Sequence, residues 1–547
     1  MNRAKNLGGT VMKCLIIRFL PVIFVIIFFS GTGLIASELH QEDGIFPSHS
    51  AEYARTLNRN ASTDADAAFY NPAGLAMMEK TGLYINFSSQ TLHKKRLHSM
   101  DFHDLDISLP SLGINLSGPT QYSGAYSNMA RGSVNGDDSY YAEVTAPTMP
   151  DFNIVYKGEN WAAYLSLGIM QAAPDFTFPR GLAVVDWGNL AIGEQVNAIN
   201  DYLLGSTFQS YTYESSSAVR TEYYIGTTMG AAYRIFKMLS AAVGVRYIYY
   251  TGGQTITMTG VQETFSNVIA QTLFDDGNSD WDIETTYTGH GIGIVSGLDF
   301  KPVKTLNIGV RYEYYLPAIL TKKTHSFVVS PLIEATGQLD IFKDGSANND
   351  FNGGAGYASG NGQSTLKVTY PQSVSMGISY QVIRSLRFEV SGDMYLRPYV
   401  DQDGMEKDYN IGYRAGGCIE YMPNDYIKVS TGYSYNDTGI KNEYRNEIDP
   451  LLLSHTIGAG VGIKVNESLE VNMGIQYVLY MNATVNQVIP VTSTMEIAGI
   501  PVEVNSTSYI RKEFAEETYI IAFGVTYRMF GDSGKKEGED KKAKLQL

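Results

Sequence analysis

The feature that most constrains how this chain can fold is a two-residue alternation that recurs along most of its length. From about residue 81 to residue 530, stretches of ten or more residues place apolar or aromatic side chains at every second position. In the stretch from Leu306 to Tyr315, for example, Ile308 and Val310 alternate with Gly309 and Arg311. A period of two belongs to an extended strand, which then has one apolar and one polar face. The chain is therefore predicted to be all-β.

Fourteen of these stretches are candidates for strands of a membrane-spanning sheet. They occupy residues 81–93, 150–157, 161–172, 219–235, 239–252, 287–300, 304–316, 366–381, 385–397, 408–421, 426–436, 454–465, 468–483 and 513–530. The last stretch carries aromatic residues near its ends and is longer than most strands of soluble proteins. An even number of such strands predicts a 14-stranded antiparallel transmembrane β-barrel.

The connections between the predicted strands alternate between short and long. Short turns, such as Lys157 to Asn160, follow long segments such as 94–149, 173–218 and 253–286, and 317–365 is long again. Transmembrane barrels have short periplasmic turns and longer external loops, and an even strand count brings both termini to the periplasm. The alternation therefore predicts an orientation as well as a fold.

Composition argues against the main competing classes of protein. The mean hydropathy of the 547 residues is −0.13, and one uninterrupted apolar run, from Phe19 to Ile35, is long enough to span a bilayer, so a bundle of membrane helices is not expected. The net charge of −15 argues against nucleic acid as a partner, because phosphate binding needs clustered lysine and arginine.

The two ends of the chain are expected to lie outside the barrel. Basic residues precede the apolar run and small residues follow it near Ala36, which is the layout of a secretory signal peptide over residues 1–36. A retained membrane helix is the alternative. The Lys/Glu-rich residues 531–547 are predicted to form a charged, disordered periplasmic tail. The barrel would then comprise residues 81–530.

Residues 37–80 contain no alternating strand and are dominated by small side chains. Ala51 to Arg59 is typical of a short helix, and an Ala/Asp-rich stretch follows it. A barrel of this width has a lumen that its own side chains cannot fill. We therefore expect residues 37–80 to form an N-terminal hatch, or plug, inside the lumen.

The end of this segment resembles a known protein family. The residues from Ala68 to Leu75, AFYNPAGL, resemble the hatch signature of the FadL/TodX outer-membrane transporters, with Asn71, Pro72, Ala73 and Gly74 as the hatch motif. Further similarity to the family lies in YRAGG at 413–417, EYMPND at 420–425 and STGYSY at 430–435. The resemblance covers roughly residues 50 to 530.

The resemblance implies a bacterial outer-membrane barrel with an amino-terminal hatch. An apolar ligand would diffuse passively through a pocket that opens sideways into the bilayer. The ligand would be a long-chain fatty acid or another hydrophobic small molecule. Outer-membrane lipid and the barrel assembly machinery are expected partners, whereas no cofactor or metal is expected.

Three arginines are candidate ligand-binding residues. A fatty acid carries a carboxylate, which needs a cation or a hydrogen-bond donor once it leaves water. By strand parity, Arg246, Arg311 and Arg414 point into the barrel. The alternative is that these arginines brace the barrel, because Glu313 and Glu420 share the inward faces of Arg311 and Arg414 respectively.

Other functions on the same scaffold remain open at this point. They are a general diffusion porin, a surface adhesin, an aromatic hydrocarbon uptake channel and an outer-membrane enzyme. The sequence has no nucleophile elbow, HExxH motif or glycine-rich phosphate loop, so we expect no catalytic residue and no enzymatic activity. A lumen filled by residues 37–80 favours selective uptake over an open pore.

Overall fold

The architecture is known for most of the chain. The computed structural model describes residues 50–110, 113–119, 140–183, 208–265, 280–329, 358–359, 363–402, 405–497 and 500–530. The predicted signal peptide, the first part of the predicted hatch and the predicted tail lie outside the described residues.

In the described residues, fourteen strands form one closed antiparallel sheet. In chain order they are β1 (Gly82–Leu109), β2 (Tyr140–Lys157), β3 (Trp161–Phe178), β4 (Ser215–Phe236), β5 (Leu239–Thr259), β6 (Trp281–Val303), β7 (Leu306–Tyr315 and Ala318–Val328), β8 (Gln363–Val368 and Ser373–Ile383), β9 (Leu386–Tyr395), β10 (Gly412–Tyr421), β11 (Ile427–Asp437), β12 (Ser454–Lys464), β13 (Leu469–Tyr480 and Ala483–Ile497) and β14 (Ile500–Met529). Each strand pairs with the next, and β14 pairs with β1, which closes the barrel. The predicted 14-stranded barrel is confirmed.

Shorter elements occur on the side of the long connections. Ile114–Pro119 pairs antiparallel with the end of β1, Ala358–Ser359 pairs antiparallel with the start of β8, and Phe208–Thr212 pairs with Gln262–Phe265. Three 3-10 turns lie on the same side of the barrel, at Arg397–Tyr399, Met405–Asp408 and Asn442–Tyr444.

The two faces of each strand differ as the alternation predicts. On β7, Val310 and Tyr312 are 37% and 40% exposed on the outer surface, whereas Arg311 and Glu313 are 7% and 4% exposed. The apolar residues face outward because the lumen side is polar and the surroundings are not. The predicted parity of this strand is confirmed.

The outer surface has the organisation of a membrane barrel. Near the short turns it exposes the aromatic side chains of Tyr156, Trp161, Tyr233, Tyr380 and Tyr421. A second level of aromatic and histidine side chains, which we call the upper belt, comprises Tyr247, His290, Tyr433, His455, Tyr477 and Tyr519. Exposed aliphatic residues such as Val243, Val245 and Ile294 lie between the two levels. An apolar band between two aromatic girdles is the lipid-facing surface of a transmembrane barrel.

Among the described residues, no helix combines the length and the hydropathy that a membrane-crossing helix requires.

The predicted short turns are confirmed at one end of the barrel. They comprise residues 158–160, 237–238, 304–305, 384–385, 422–426 and 465–468, at the same end as Gly82 and Met529. By the rule for such barrels, this end faces the periplasm.

Several strands extend far into segments that we expected to be loops. β1 continues to Leu109, and β13 and β14 together occupy most of residues 484–512, which the sequence predicted to be a connection. That part of the prediction is wrong. Beyond the bilayer the outer face of a strand meets water, so backbone pairing continues while the apolar alternation that marks a strand disappears.

Candidate functional site

Residues 50–80, which we call the inner segment, fold as short turns and helices. The helix α1 (Ala51–Thr56) begins at Ser50, whose hydroxyl accepts from the Tyr53 amide at 3.0 Å, and ends at Leu57, which is left-handed with φ 59°. The expected helix reached Arg59, but the left-handed residue ends it earlier. The helix α2 (Ala67–Tyr70) and a 3-10 turn (Pro72–Met77) follow.

The inner segment contacts the inward face of the barrel on all sides. The helix α1 touches β1 and β10 to β14, and the 3-10 turn touches β2 to β6. Between them, the Asn60 side chain donates to Asp393 of β9 at 2.9 Å. The fit is close, and almost every residue from Ser50 to Met78 is buried.

Glycines on the inner wall make room for the backbone of the inner segment. At each of eight positions, a Cβ atom would lie within 3 Å of an atom of that segment: Gly297, Gly309, Gly377, Gly432, Gly458, Gly460, Gly474 and Gly524. They lie on β6 to β8 and β11 to β14, and several pair directly, as Gly309 does with Gly377. We call this set the glycine track. Any larger residue there would push the segment off the wall.

Charged and polar groups of β9 to β13 also hold the inner segment. The Arg55 guanidinium forms an ion pair with Glu420 of β10 and donates to Ser430 Oγ at 2.7 Å and to Asn472 Oδ1 at 3.0 Å. The Ala61 amide donates to Glu389 at 3.2 Å. Buried charges are stable only with such partners, so these contacts define where the segment sits.

The hatch motif lies where the inner segment turns toward its periplasmic end. Asn71 is extended, with φ −158° and ψ 93°, as expected for a residue before proline, and Pro72 begins the 3-10 turn. The Asn71 side-chain Nδ2 donates to Leu298 O of β6 at 3.1 Å and to Asn60 O at 3.4 Å. The Asn71 side chain therefore joins the second half of the inner segment to the barrel wall at Leu298 and to the first half of the segment at Asn60. These bonds do not involve the turn that follows Asn71.

Ala73 and Gly74 complete the motif through backbone contacts. Ser240 Oγ of β5 donates to Ala73 O at 2.7 Å. A Cβ atom on Gly74 would collide with the carbonyl of Ser62, so the first and second halves of the inner segment are in close contact here. The four residues of the motif thus lie together, packed against β5 and β6.

Arg246 and Arg311 lie side by side above the inner segment. Arg246 Nη1 donates to Glu313 at 2.9 Å and to the Tyr315 hydroxyl at 2.7 Å, and its guanidinium lies 5.1 Å from the centroid of the Phe69 ring. Arg311 donates to Phe69 O at 2.7 Å and lies 3.5 Å from the same carboxylate of Glu313. Two guanidinium groups therefore share one carboxylate. Arg246 Nη2 and Arg311 Nε are buried and have no hydrogen-bond partner among the described residues.

Arg414 has a different environment. Its Nε donates to Asp393 at 2.6 Å, and its Nη1 donates to Leu57 O at 2.7 Å and to the Tyr53 hydroxyl at 3.1 Å. The carboxylate of Asp393 therefore balances the charge of Arg414, and the bond to Leu57 O holds the end of α1. Glu420, which we expected to brace Arg414, pairs instead with Arg55 and Arg387. A role of the three arginines in ligand binding remains a prediction.

Aromatic side chains line the lumen near the two paired arginines. Tyr224 and Tyr250 meet edge to face with centroids 4.6 Å apart, and Tyr315 and Tyr370 meet in the same way at 4.9 Å. On the inner segment, Tyr53 stacks on Tyr70 at 5.4 Å. Such a surface is largely apolar but offers hydroxyl groups at the ring ends.

The pairing between β2 and β3 is interrupted. Residues 151–157 pair with residues 162–168, but the next pair is Glu143 with Thr177, so residues 144–150 and 169–176 are not paired with each other. Against β4, β3 shows two register shifts, at 169–171 and 173–176. We call this interruption the wall break. Elsewhere in the described barrel the interruptions are shorter: between β7 and β8, for example, residues 314–317 and 369–372 are not paired with each other.

The wall break lies at the level of the bilayer. Its upper end is near Thr145, which pairs with His93, and His93 in turn pairs with Tyr519 of the upper belt. Its lower end is Pro150, which pairs with Ser89 in the apolar band. On the lipid side, Ser89 and Thr148 share a hydrogen bond of 2.8 Å. The break therefore faces the outer half of the membrane.

Two external segments cover part of the opposite mouth. Residues 396–402 with 405–411, and residues 438–453, join through the Tyr409–Ile440 bridge. Arg96 of β1 pairs with Asp449 at 2.8 Å, and Lys512 of β14 pairs with Glu447 at 2.9 Å. Both ion pairs are buried, and they clamp the second segment against the wall.

Sequence reasoning missed most residues that hold the inner segment. Arg55, Glu389, Asp393 and Asn60 were not singled out, although the inward parity of Glu389 and Asp393 marks two buried carboxylates on one strand. That signal identifies a lumen charge but not its partner, since the partner lies more than 300 residues away in the chain.

Comparison with known proteins gives the fold. No model of a known protein family matches the chain, and no curated protein matches it. Among solved structures, a Pseudomonas aeruginosa FadL homologue aligns with a TM-score of 0.53 at 13% identity, over 88% of this chain and 98% of that one. The P. putida toluene transporter TodX aligns with a TM-score of 0.43 at 10% identity, over 86% and 95% of the two chains. The Ralstonia pickettii toluene transporter TbuX aligns with a TM-score of 0.42 at 13% identity, over 85% and 94%. The chain therefore has the fold of the FadL homologue, as its resemblance to the FadL/TodX transporters predicted.

Proposed function

We propose that this protein is an outer-membrane channel for the passive uptake of hydrophobic small molecules. The observation that carries the proposal is the wall break between β2 and β3, which faces lipid beside a lumen that the inner segment fills. An open pore for water-soluble solutes needs neither feature. A channel for apolar solutes uses both, because the ligand can exchange with the bilayer without crossing water.

The inner segment acts in this proposal as the hatch of the barrel. It closes the direct route to the periplasm and forms the floor of the aromatic lumen. Its close fit to the glycine track supports a hatch that stays in the barrel during transport. A general diffusion porin is disfavoured by the same fit, since ions would find the lumen blocked.

The ligand class best supported is a long-chain molecule with an acidic head group, such as a fatty acid. Arg246 and Arg311 present two positive charges to the single carboxylate of Glu313. A second carboxylate, from the ligand, would balance the charge and take up the free donors of Arg246 and Arg311. Each methylene withdrawn from water contributes about 0.8 kcal/mol, so the tail would prefer the aromatic surface. An aromatic hydrocarbon channel is the second candidate, supported by the same tyrosine lining.

Uptake through the wall break can be tested at Thr148, which lies on the outer surface of the break. Thr148→Trp should lower the initial rate of labelled oleate uptake by about fivefold or more. The reason is that the added indole ring would cover part of the opening through which the ligand passes. Ile154→Trp, on the outward face of the paired part of β2, is the matched control. Both variants should reach the surface in equal amounts and keep the gel-mobility shift on boiling. Equal uptake by the two variants would argue against the wall break as the passage.

A further inference from the structure

The inner segment is bound to the barrel very differently on its two sides. Toward β6 to β14 it is held by the Arg55–Glu420 ion pair, by the Asn60–Asp393 hydrogen bond and by the glycine track. Toward β2 to β5 it packs through small apolar side chains: Ala65, Ala67, Ala68, Ala73, Leu75, Ala76 and Met78 of the segment meet Val155, Ala162, Tyr164, Ala232 and Ala242 of the wall. We call this contact the alanine seam. The cluster itself contains no charged residue, and the wall adds two hydrogen bonds, from Ser240 to Ala73 O and from Arg234 to Ala76 O. With no ion pair across it, we expect this side of the segment to separate from the wall more easily than the other.

The alanine seam begins below the ligand-binding arginines. At its upper end, the Tyr164 hydroxyl is buried and has no hydrogen-bond partner among the described residues. Gly230 and Gly244, which pair with each other, leave room for the Tyr164 ring. One inward position higher on β5 stands Arg246. A head group bound at Arg246 would thus stand directly above the seam.

Two cations stand at the lower end of the seam. Lys157 ends β2 and Arg234 lies near the end of β4, on either side of Ala162 and Ala232, which pair with each other. Lys157 is 2% exposed, and its ammonium group donates to the carbonyls of Gly158 at 2.6 Å and Glu159 at 3.0 Å. Arg234 Nη2 donates to Ala76 O at 2.6 Å, at the end of the 3-10 turn.

Neither cation is neutralised by a carboxylate of the described residues. The partners of both are backbone carbonyls, and Arg234 Nε is buried without a hydrogen-bond partner in that part of the chain. Lys157 retains one ammonium proton beyond the two it donates. Two nearby positive charges with donors to spare attract an anion, and a carboxylate accepts from both kinds of donor.

We propose that Lys157 and Arg234 form a second, periplasmic site that receives the carboxylate of a ligand leaving the barrel along the alanine seam. The proposal rests on the proposed uptake function and specifies its exit. Arg246 and Arg311 bind the head group above the inner segment, and Lys157 with Arg234 bind it below. The uncharged seam between them accommodates the tail as the small side chains part.

Binding to the purified full-length protein tests the site without transport. Calorimetric titration in detergent with decanoate should find two saturable sites, one of them lost in Lys157→Gln/Arg234→Gln. Arg246→Gln should weaken the other site, and decanol should show no dependence on Lys157 or Arg234. The same two sites in the double variant would overturn the proposal. Because this measurement needs no uptake, it decides the matter even if the wild-type protein transports neither compound.

Uptake into intact cells tests the role in exit. Lys157→Gln/Arg234→Gln should lower the rate of labelled oleate uptake by about tenfold, which is the scale of one or two charge-assisted hydrogen bonds. Uptake of methyl oleate should change less than twofold. Lys157→Arg/Arg234→Lys keeps both charges and should restore oleate uptake, and Lys237→Gln, on the exposed turn after β4, is the control for a lost surface charge. An equal loss with oleate and methyl oleate would show that the two cations only cap the turns, and would overturn the proposal.

Discussion

Glu52 is a carboxylate placed where water does not reach it. It lies on α1 and is 4% exposed. Its Oε1 accepts from Asn472 at 3.0 Å and from Asn86 at 3.2 Å, while Oε2 has no hydrogen-bond partner among the described residues. Burial, with the nearby charge of Asp66 adding to it, raises the pKa of Glu52 from 4.5 to about 7. The inner segment therefore carries a proton that it holds more tightly than the unfolded chain does.

The raised pKa of Glu52 predicts a loss of stability as the pH rises. Below pH 4.5 both states are protonated; between pH 4.5 and about 7 the unfolded chain ionises first, so stability falls, and above that window it stays lower. The full effect is roughly 3 kcal/mol. The wild-type protein should therefore melt several degrees lower at pH 8 than at pH 5 in detergent, and Glu52→Gln should make that difference smaller. Glu159→Gln, on an exposed turn, is the control. An unchanged pH slope in Glu52→Gln would contradict the prediction.

Asn71 and Pro72 hold the inner segment at its junction with β6. The hydrogen bonds of Asn71 reach Leu298 and Asn60, so the residue joins the two halves of the inner segment and the wall. Asn71→Ala with Pro72→Ala should leave the barrel assembled but reduce uptake of labelled fatty acid severalfold, because the turn that ends the seam is no longer fixed. Surface abundance and the gel-mobility shift are measured beside uptake. Normal uptake would refute a gating role, and loss of assembly would support a purely structural one.

At the scale of the element, the glycine track determines how the inner segment can move. The close approach is tightest on β11, where Gly432 faces Thr56 O; Gly432 pairs with Gly458 of β12. A rigid barrel wall cannot yield to an added side chain, so the segment must yield. We therefore expect the track to fix the part of the segment around Thr56, so that any movement would involve the part along the alanine seam.

Gly432→Leu tests this division. The added side chain should displace α1 and raise the single-channel conductance for small ions above that of the wild-type protein. Gly417→Leu, on β10 and facing outward with ordinary contacts around its Cβ position, should leave the conductance unchanged. Equal conductance in the two variants would mean that α1 can shift without opening the lumen.

At the scale of the whole molecule, the barrel is a frame held by backbone hydrogen bonds and the inner segment is its removable part. All fourteen described strands pair without the segment, so the barrel does not need it for closure. In the proposed function the segment instead decides what can pass. A closed barrel with a separate filler is expected to tolerate loss of the filler better than loss of a strand.

Removal of residues 37–80 should thus keep a heat-modifiable, mostly β barrel with a higher conductance to small ions, and should abolish selective uptake of apolar substrates. The measurement is single-channel recording together with circular dichroism in detergent. Unchanged conductance would place the segment outside the conducting path. A variant that fails to assemble would contradict the view of the barrel as an independent frame.

The sequence by itself determined the number of strands, their parity and the end of the barrel that carries the short turns. These properties follow from the two-residue period, which the bilayer imposes on every strand because one face meets lipid and the other does not. The parity placed Arg246 and Arg311 inside correctly for the same reason. Where that constraint ends, beyond the upper belt, the sequence no longer predicted that the strands continue.

Only the tertiary structure decided which charges meet, where the wall is broken and how the inner segment is held. Arg55 and Glu420, or Asn60 and Asp393, are brought together by the closure of the barrel around a segment far away in the chain, and no local pattern encodes that register. The wall break is likewise a property of two strands together: Pro147 and Pro150 of β2 and Pro174 of β3 lack the N–H that a ladder needs, but only the fold places their unpaired stretches beside each other. The sequence specified the faces of the strands; the pairing of those faces with a separate segment was fixed by packing.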